Sequence, residues 1–145
     1  MHFVIVGAGA LGSIYAAYLA RDGHRVSLIA RGERAAALAR HGIPVTGPDS
    51  FTAHCNVVTQ PQSLHEADAV IVAVKTYDTE QALAPLRQVK VQTVFSVQNG
   101  VLKNRQLAAV FGDRATLGAI SLVGGEVLAA ADGRPGSVRY NMPNA

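Results

Sequence analysis

The run Gly7-Ala8-Gly9-Ala10-Leu11-Gly12 constrains this chain more than any other feature. It is reached directly from the β-favouring stretch His2-Phe3-Val4-Ile5-Val6 and followed at once by an amphipathic helical pattern. A strand, a tight turn and a helix start are therefore contiguous. Gly7 permits the sharp exit from the strand, Gly9 lacks a Cβ and lets backbone approach a pyrophosphate, and Gly12 lets the helix pack closely on the strand. The free N–H groups and the positive dipole end of the helix then suit phosphate oxygens. A GxGxxG alone is a weak signal. With its strand before and its helix after, it points to dinucleotide binding rather than to a ligand-free glycine turn.

The rest of the composition is compatible with that start and excludes several other classes. A chain of 145 residues, 49% hydrophobic and 16% charged, fits one globular domain with a real core. Its 13 basic and 10 acidic residues leave a net charge of +3, too small and too scattered to argue for a nucleic-acid partner. Cys55 is the single cysteine, so no internal disulfide forms. With no His or Cys at metal spacing beside it, Cys55 reads as a small half-buried strand residue. The N-terminal apolar run is short and lacks a preceding basic region, and no apolar stretch reaches the ~18 residues of a membrane span. The expectation is a cytoplasmic protein with no membrane partner.

Along the chain, Leu11, Ile14, Tyr15, Tyr18 and Leu19 share one helical face, predicted to pack on the sheet. Gly23 closes that helix as a left-handed cap, and residues 25–30 form the second strand. An NAD enzyme places Asp or Glu at the end of this strand, ~20 residues past the glycines, to bind the ribose 2′-OH. Here the sequence is Ala30-Arg31-Gly32. A guanidinium stands where the carboxylate would be, and it can pair bidentately with a phosphate. The reading is NADP(H), with Arg31 on the 2′-phosphate, Arg34 as a helper, and Glu33 too far along to take the acidic role.

Residues 33–40 read as a short helix, and residues 43–59, with Pro44 and Gly47-Pro48-Asp49-Ser50, as a hairpin at the sheet edge. His41, His54 and His65 read as surface or turn residues. A helical turn over 63–67 leads to a strand at 68–74, whose continuous apolar run suits burial on both faces of a parallel sheet. Lys75 follows at its C-terminal end, where ligands bind in open α/β sheets. Thr76 and Thr79 offer caps for a helix at 77–89 that Pro85 must kink or split. A strand over 92–97 ends in Gln98-Asn99-Gly100, opposite Lys75, and a helix follows over 101–111. Residues 115–120 read as a sixth strand. The tail reads as short antiparallel strands with turns at Gly124-Gly125 and at Asp132-Gly133-Arg134-Pro135-Gly136. The fold class is α/β: a Rossmann-type, doubly wound, mainly parallel sheet.

Taken together, the glycine run, Arg31, Val72-Ala73-Val74-Lys75-Thr76-Tyr77-Asp78-Thr79 and Ser96-Val97-Gln98-Asn99-Gly100 resemble the ketopantoate reductases, the 2-dehydropantoate 2-reductase family. Arg134-Pro135-Gly136-Ser137-Val138 adds to the likeness, which covers essentially the whole chain. The resemblance implies hydride transfer from NADPH to the ketone of a branched 2-oxo acid, in pantothenate and coenzyme A biosynthesis. It implies that Gly7, Ala8, Gly9, Ala10, Leu11 and Gly12 hold the pyrophosphate and Arg31 the 2′-phosphate. Lys75 would lie beside the cofactor, Asn99 would touch both cofactor and substrate, and Val123 would supply a backbone contact. Family members continue into a mostly helical C-terminal domain that supplies the general-acid lysine and much of the carboxylate pocket. Residues 1–145 then read as the NADP-binding half, with no catalytic acid of its own, and homodimerisation is left open. Two alternatives stand beside this reading: a reductase of another 2-oxo acid or of a phosphorylated or sugar substrate, and a stand-alone NADP(H)-binding module.

Overall fold

A computed structural model describes residues 1–129 and 135–141. Five parallel strands make the central sheet, in the order β5 (Asn56–Val58), β2 (Arg25–Ile29), β1 (His2–Val6), β6 (Glu66–Val72), β7 (Lys90–Ser96). The chain winds outward from β1 to β5, then crosses back to start again at β6, so the direction of winding switches between β1 and β6.

The two-residue period of each strand divides the core between two faces. Ile5, Leu28 and Ile71 point to one face, against Ile14, Ala16 and Ala17 of α1 (Ala10–Arg21) and Ala35 and Leu38 of α2 (Gly32–His41). Val4, Val6, Val70, Val72 and Val94 point to the other, against Ala82, Leu83 and Leu86 around α3 (Thr79–Leu83) and Leu107 of α4 (Lys103–Phe111). Helices on both faces make the sheet doubly wound, as the sequence pattern predicts.

The residues of α1 that are fully buried are Gly12, Ser13, Ile14, Ala16 and Ala17, whereas Leu11, Tyr15, Tyr18 and Leu19 are half-buried. The expected sheet-facing stripe is thus only partly right. Mostly small side chains are buried because the helix lies close to the sheet, and Tyr18 turns toward a second sheet on the far side of α1. That sheet has the order β4 (Phe51–Ala53), β3 (Ile43–Thr46), β9 (Val138–Asn141), β8 (Gly124–Val127). Tyr18 meets Phe51 and Tyr140 edge-on at 5.1 and 5.7 Å, and the Arg21 guanidinium lies over Tyr18 and Phe51 while pairing with Asp49 at 2.9 Å.

The second sheet corrects two expectations. The hairpin of β3 and β4 exists, but it pairs with β9 rather than with the central sheet, which ends on the β2 side with β5. Gly124-Gly125 is strand rather than turn. A Cβ on Gly125 would overlap the Ile14 side chain and stand 2.9 Å from Arg139 O, so glycine is what lets β8 pass over α1. The turn expected at Asp132-Gly133-Arg134 lies outside the described residues.

Further boundaries shift. The turn expected at 63–67 falls earlier, as a 3-10 turn over Pro61–Ser63, and β6 and β7 both begin two residues sooner than their apolar runs. The helix expected over 77–89 is split, with 3-10 turns at Thr76–Asp78 and Ala84–Leu86 flanking α3; Pro85 cannot donate to an uninterrupted helix. The sixth strand does not form. Leu117 donates its N–H to Val94 O at 2.8 Å beside an isolated bridge from Thr116 to Val94, and the chain then leaves the sheet with Ile120 90% exposed.

Candidate functional site

The strand registers explain why the marked residues meet. Val58, Ile29, Val6, Val72 and Ser96 are paired in one transverse row across the central sheet. Gly7 follows that row by one residue, Arg31 by two, and Lys75 and Asn99 by three each. Four separate segments of sequence therefore converge on the C-terminal edge of the sheet, around the switch between β1 and β6. Ligands bind in such a place in open α/β sheets.

Two grooves flank the glycine turn there. One, of about 620 Å³, is lined by Gly7 to Leu11, Lys75, Asn99 and Val123. The other, of about 250 Å³, continues from Gly7 and Ala8 to Arg31 and Arg34. Val74 and Asp78 line both, so the two form a bent trough across the turn. Glu33 is exposed and lines neither. Gly12 lies beneath: a Cβ there would overlap Gly7 O and stand 3.3 Å from Ala73 Cβ.

The three glycines of the turn meet different constraints. Gly7 has φ +105° and a Cβ would come 2.7 Å from Val74 Cγ1, so both conformation and space require glycine. Gly9 has an ordinary extended backbone with φ −70°, and among the described residues a Cβ on it would meet no atom within 4 Å. Nothing among the described residues demands a glycine there. The space it leaves clear opens into the trough.

Hydrogen bonds absent from the sequence reading hold the site together. Arg34 donates Nε–H to Ala8 O at 3.0 Å and an Nη2–H to Ser13 Oγ at 3.0 Å, and Ser13 Oγ donates to Ala8 O at 3.2 Å. Burial pulls the Arg34 pKa down from its ordinary value, while an arginine stays charged. Gln98 ties the ends of β6 and β7: Nε2 donates to Val74 O and Thr79 Oγ1, both at 2.7 Å, and Oε1 accepts from Ser96 Oγ at 2.7 Å. Thr79 is fully buried in this contact, and neither it nor Thr76 caps a helix, contrary to the sequence expectation. Lys103 donates to Ser96 O at 3.3 Å, Gln98 O at 2.9 Å and Ala119 O at 2.5 Å, securing the turn that carries Asn99. Tyr15 OH and Ser121 Oγ, 3.0 Å apart, fasten the segment before Val123 onto α1. Lys75, Asn99 and Arg31 themselves are exposed.

Elsewhere, a cleft of about 310 Å³ lies at the opposite end of the sheet among His2, Arg25, Glu66 and Lys90. It holds none of the motif residues. Burial pushes the Cys55 thiol up to about 11, which removes thiolate reactivity near neutral pH. Among the described residues, no three His, Cys, Asp or Glu side chains gather as a metal site, and no helix is long and apolar enough to cross a membrane.

Known proteins share the sequence pattern and the fold of this chain. The family profile for ketopantoate reductase PanE/ApbA matches residues 3–144. A 2-dehydropantoate 2-reductase from Archaeoglobus fulgidus is 37% identical over 133 residues, which cover 89% of this chain and 44% of that protein. The crystal structure of a PanE/ApbA family ketopantoate reductase from Ralstonia eutropha JMP134 superposes with a TM-score of 0.82 at 29% identity, covering 98% of this chain and 47% of that one. That of 2-dehydropantoate 2-reductase from Geobacter metallireducens GS-15 gives 0.84 at 28% identity, covering 97% and 46%. This chain thus spans less than half the length of these relatives. With the family profile covering nearly every residue, the chain belongs to the PanE/ApbA ketopantoate reductase family.

Proposed function

We propose that residues 1–145 are the NADPH-binding half of a 2-dehydropantoate 2-reductase, reducing the ketone of a branched 2-oxo acid to a hydroxyl. The observation that carries this reading is the trough at the switch point, with Gly9 leaving clear space in it and Arg31 at its far end. The residues present fit a phosphorylated dinucleotide. The backbone of Gly7 to Gly12 takes the pyrophosphate on the N-terminus of α1, and Arg31 takes the 2′-phosphate, standing at the end of β2 where an NAD enzyme would place an acidic residue. At the other end, Lys75 and Asn99 line the portion left for the nicotinamide, and the amide of Asn99 also orients the substrate carbonyl, beside the backbone of Val123. Bound there, the reduced nicotinamide supplies hydride.

A developing alkoxide needs a positioned acid, and in this reading a C-terminal domain supplies it together with the carboxylate pocket. Val101 and Ile120, 94% and 90% exposed, border an open cleft of about 610 Å³ beside Gly100 and give such a domain an apolar surface to cover. On this reading the protein works in the cytoplasm, in pantothenate and coenzyme A biosynthesis.

Fluorescence titration of the chain with NADPH and NADH at one salt concentration tests the assignment. Saturable binding that prefers NADPH is expected. Preference for NADH would overturn the role of Arg31, and binding of neither would overturn the cofactor site itself. Turnover of ketopantoate on adding a separately made C-terminal half then separates the reductase from a module that only binds.

A further inference from the structure

Arg31 and Arg34 both line the small groove, where two guanidinium groups could share one phosphate. Their contacts differ. Arg31 is exposed, whereas the Arg34 guanidinium has turned inward, spending Nε on Ala8 O and Nη2 on Ser13 Oγ. Ser13, itself 0% exposed, completes a closed triangle by donating to the same Ala8 oxygen. Ala8 O thus accepts two hydrogen bonds from groups that lie on one side of it.

The peptide between Ala8 and Gly9 is planar and trans, so its C=O and N–H point in opposite directions. Holding Ala8 O back toward Arg34 of α2 and Ser13 of α1 turns the Gly9 N–H the other way, off the side where those two side chains lie. Gly9 lines the large groove, and among the described residues a Cβ added to it would meet nothing within 4 Å. We propose that Arg34 is a positioning residue for the pyrophosphate: through Ala8 O and Ser13 it sets the orientation of the Ala8–Gly9 peptide, and it leaves the 2′-phosphate to Arg31. The inference rests on the dinucleotide reading above and deepens it. It also links the start of α2, which carries Arg34, mechanically to the glycine turn. A pyrophosphate is common to NADPH and NADH, so a device that acts on it serves both equally. Discrimination between the two then belongs to Arg31 alone.

The test is titration of NADPH and NADH against the chain and its Arg34→Met, Arg34→Lys, Ser13→Ala and Arg31→Met variants, with thermal unfolding as a check on folding. Arg34→Met is expected to weaken both nucleotides about tenfold, close to one hydrogen-bond equivalent of binding energy, leaving their ratio unchanged. Arg34→Lys keeps the charge but not the fork, and is expected to restore little. Arg31→Met is expected to weaken NADPH alone. Should Arg34→Met not fold, Ser13→Ala reads the same triangle and should weaken both nucleotides severalfold with their ratio constant. A selective loss of NADPH in the Arg34 variants would overturn the proposal, as would full rescue by lysine or unchanged binding of both nucleotides. Failure of the unsubstituted chain to bind either nucleotide would instead overturn the cofactor assignment, and this inference with it.

Discussion

Gly9 and Gly12 stand three residues apart in one motif, yet a methyl group would meet opposite surroundings at the two. At Gly12 it would collide with the Gly7 carbonyl, and at Gly9 it would enter open groove. Gly12→Ala is therefore expected to cost about 3 kcal/mol of stability through overpacking against rigid backbone, read as a lowered urea midpoint. Gly9→Val should leave the midpoint nearly unchanged while abolishing NADPH binding, because the added side chain occupies the space the pyrophosphate needs. A folded Gly9→Val variant with unchanged affinity would remove the pyrophosphate assignment. Arg31→Asp is expected to weaken NADPH by about 2 kcal/mol, roughly thirtyfold, from the loss of charge-assisted hydrogen bonds, with little effect on NADH. Equal losses for both nucleotides would contradict it. The residue types and spacing that single out Gly9 and Arg31 stand in the sequence itself. The triangle of Ala8, Ser13 and Arg34 does not, because Arg34 reaches Ala8 across 26 residues of chain and no local pattern marks such a contact.

At the scale of elements, the turn after β7 shows how a fixed amide replaces regular structure. Gln98 is 7% exposed and spends both ends of its side chain between β6, β7 and α3. Gln98→Leu is expected to cost about 2–3 kcal/mol, since Thr79 Oγ1, Ser96 Oγ and Val74 O lose partners in a buried setting. It should also raise the NADPH dissociation constant by loosening the turns that carry Lys75 and Asn99; calorimetric unfolding and titration of one variant check both effects. The sequence marks Gln98-Asn99-Gly100 as a turn at a strand end, and that is where it lies. Whether Gln98 faced the solvent or the protein was decided by the β6–β7 pairing. The same limit applies at 115–120. An apolar run with strand character received only one bridge from β7, because its own backbone turned away before a ladder could extend.

For the whole molecule, the two ends of the sheet differ in chemistry. At the end away from the trough, His2 is buried with Nε2 3.0 Å from Ser27 Oγ. Desolvation, and next the Arg25 charge, lower its pKa below 6.5. The folded state then binds the proton less readily than the unfolded chain, so the contribution of neutral His2 is complete above pH 6.5 and is lost as pH falls through the lowered folded value. Urea unfolding of the chain is expected to show stability declining below pH 6.5, with a shallower decline in His2→Gln. An equal decline in the variant would assign the effect elsewhere. At the trough end, Val101, Leu117, Ile120 and Leu122 are exposed. If the proposed C-terminal domain covers this surface, replacing Ile120 and Leu122 with Asp weakens capture of a separately made C-terminal half, read by light scattering of the mixture.

What the sequence alone determined is local in origin: the strand, glycine turn and helix of the first residues, the basic residue where an acidic one would stand, the strand ends that carry Lys75 and Asn99, and the alternation of β and α segments. Each depends on residues within a few positions of one another, where sterics and periodicity act directly. Tertiary structure alone decided the second sheet on α1, the small-residue face of that helix, the strand made of Gly124 and Gly125, and the inward turn of Arg34. These depend on segments distant in sequence meeting at close range, and only the packed chain states which segments meet.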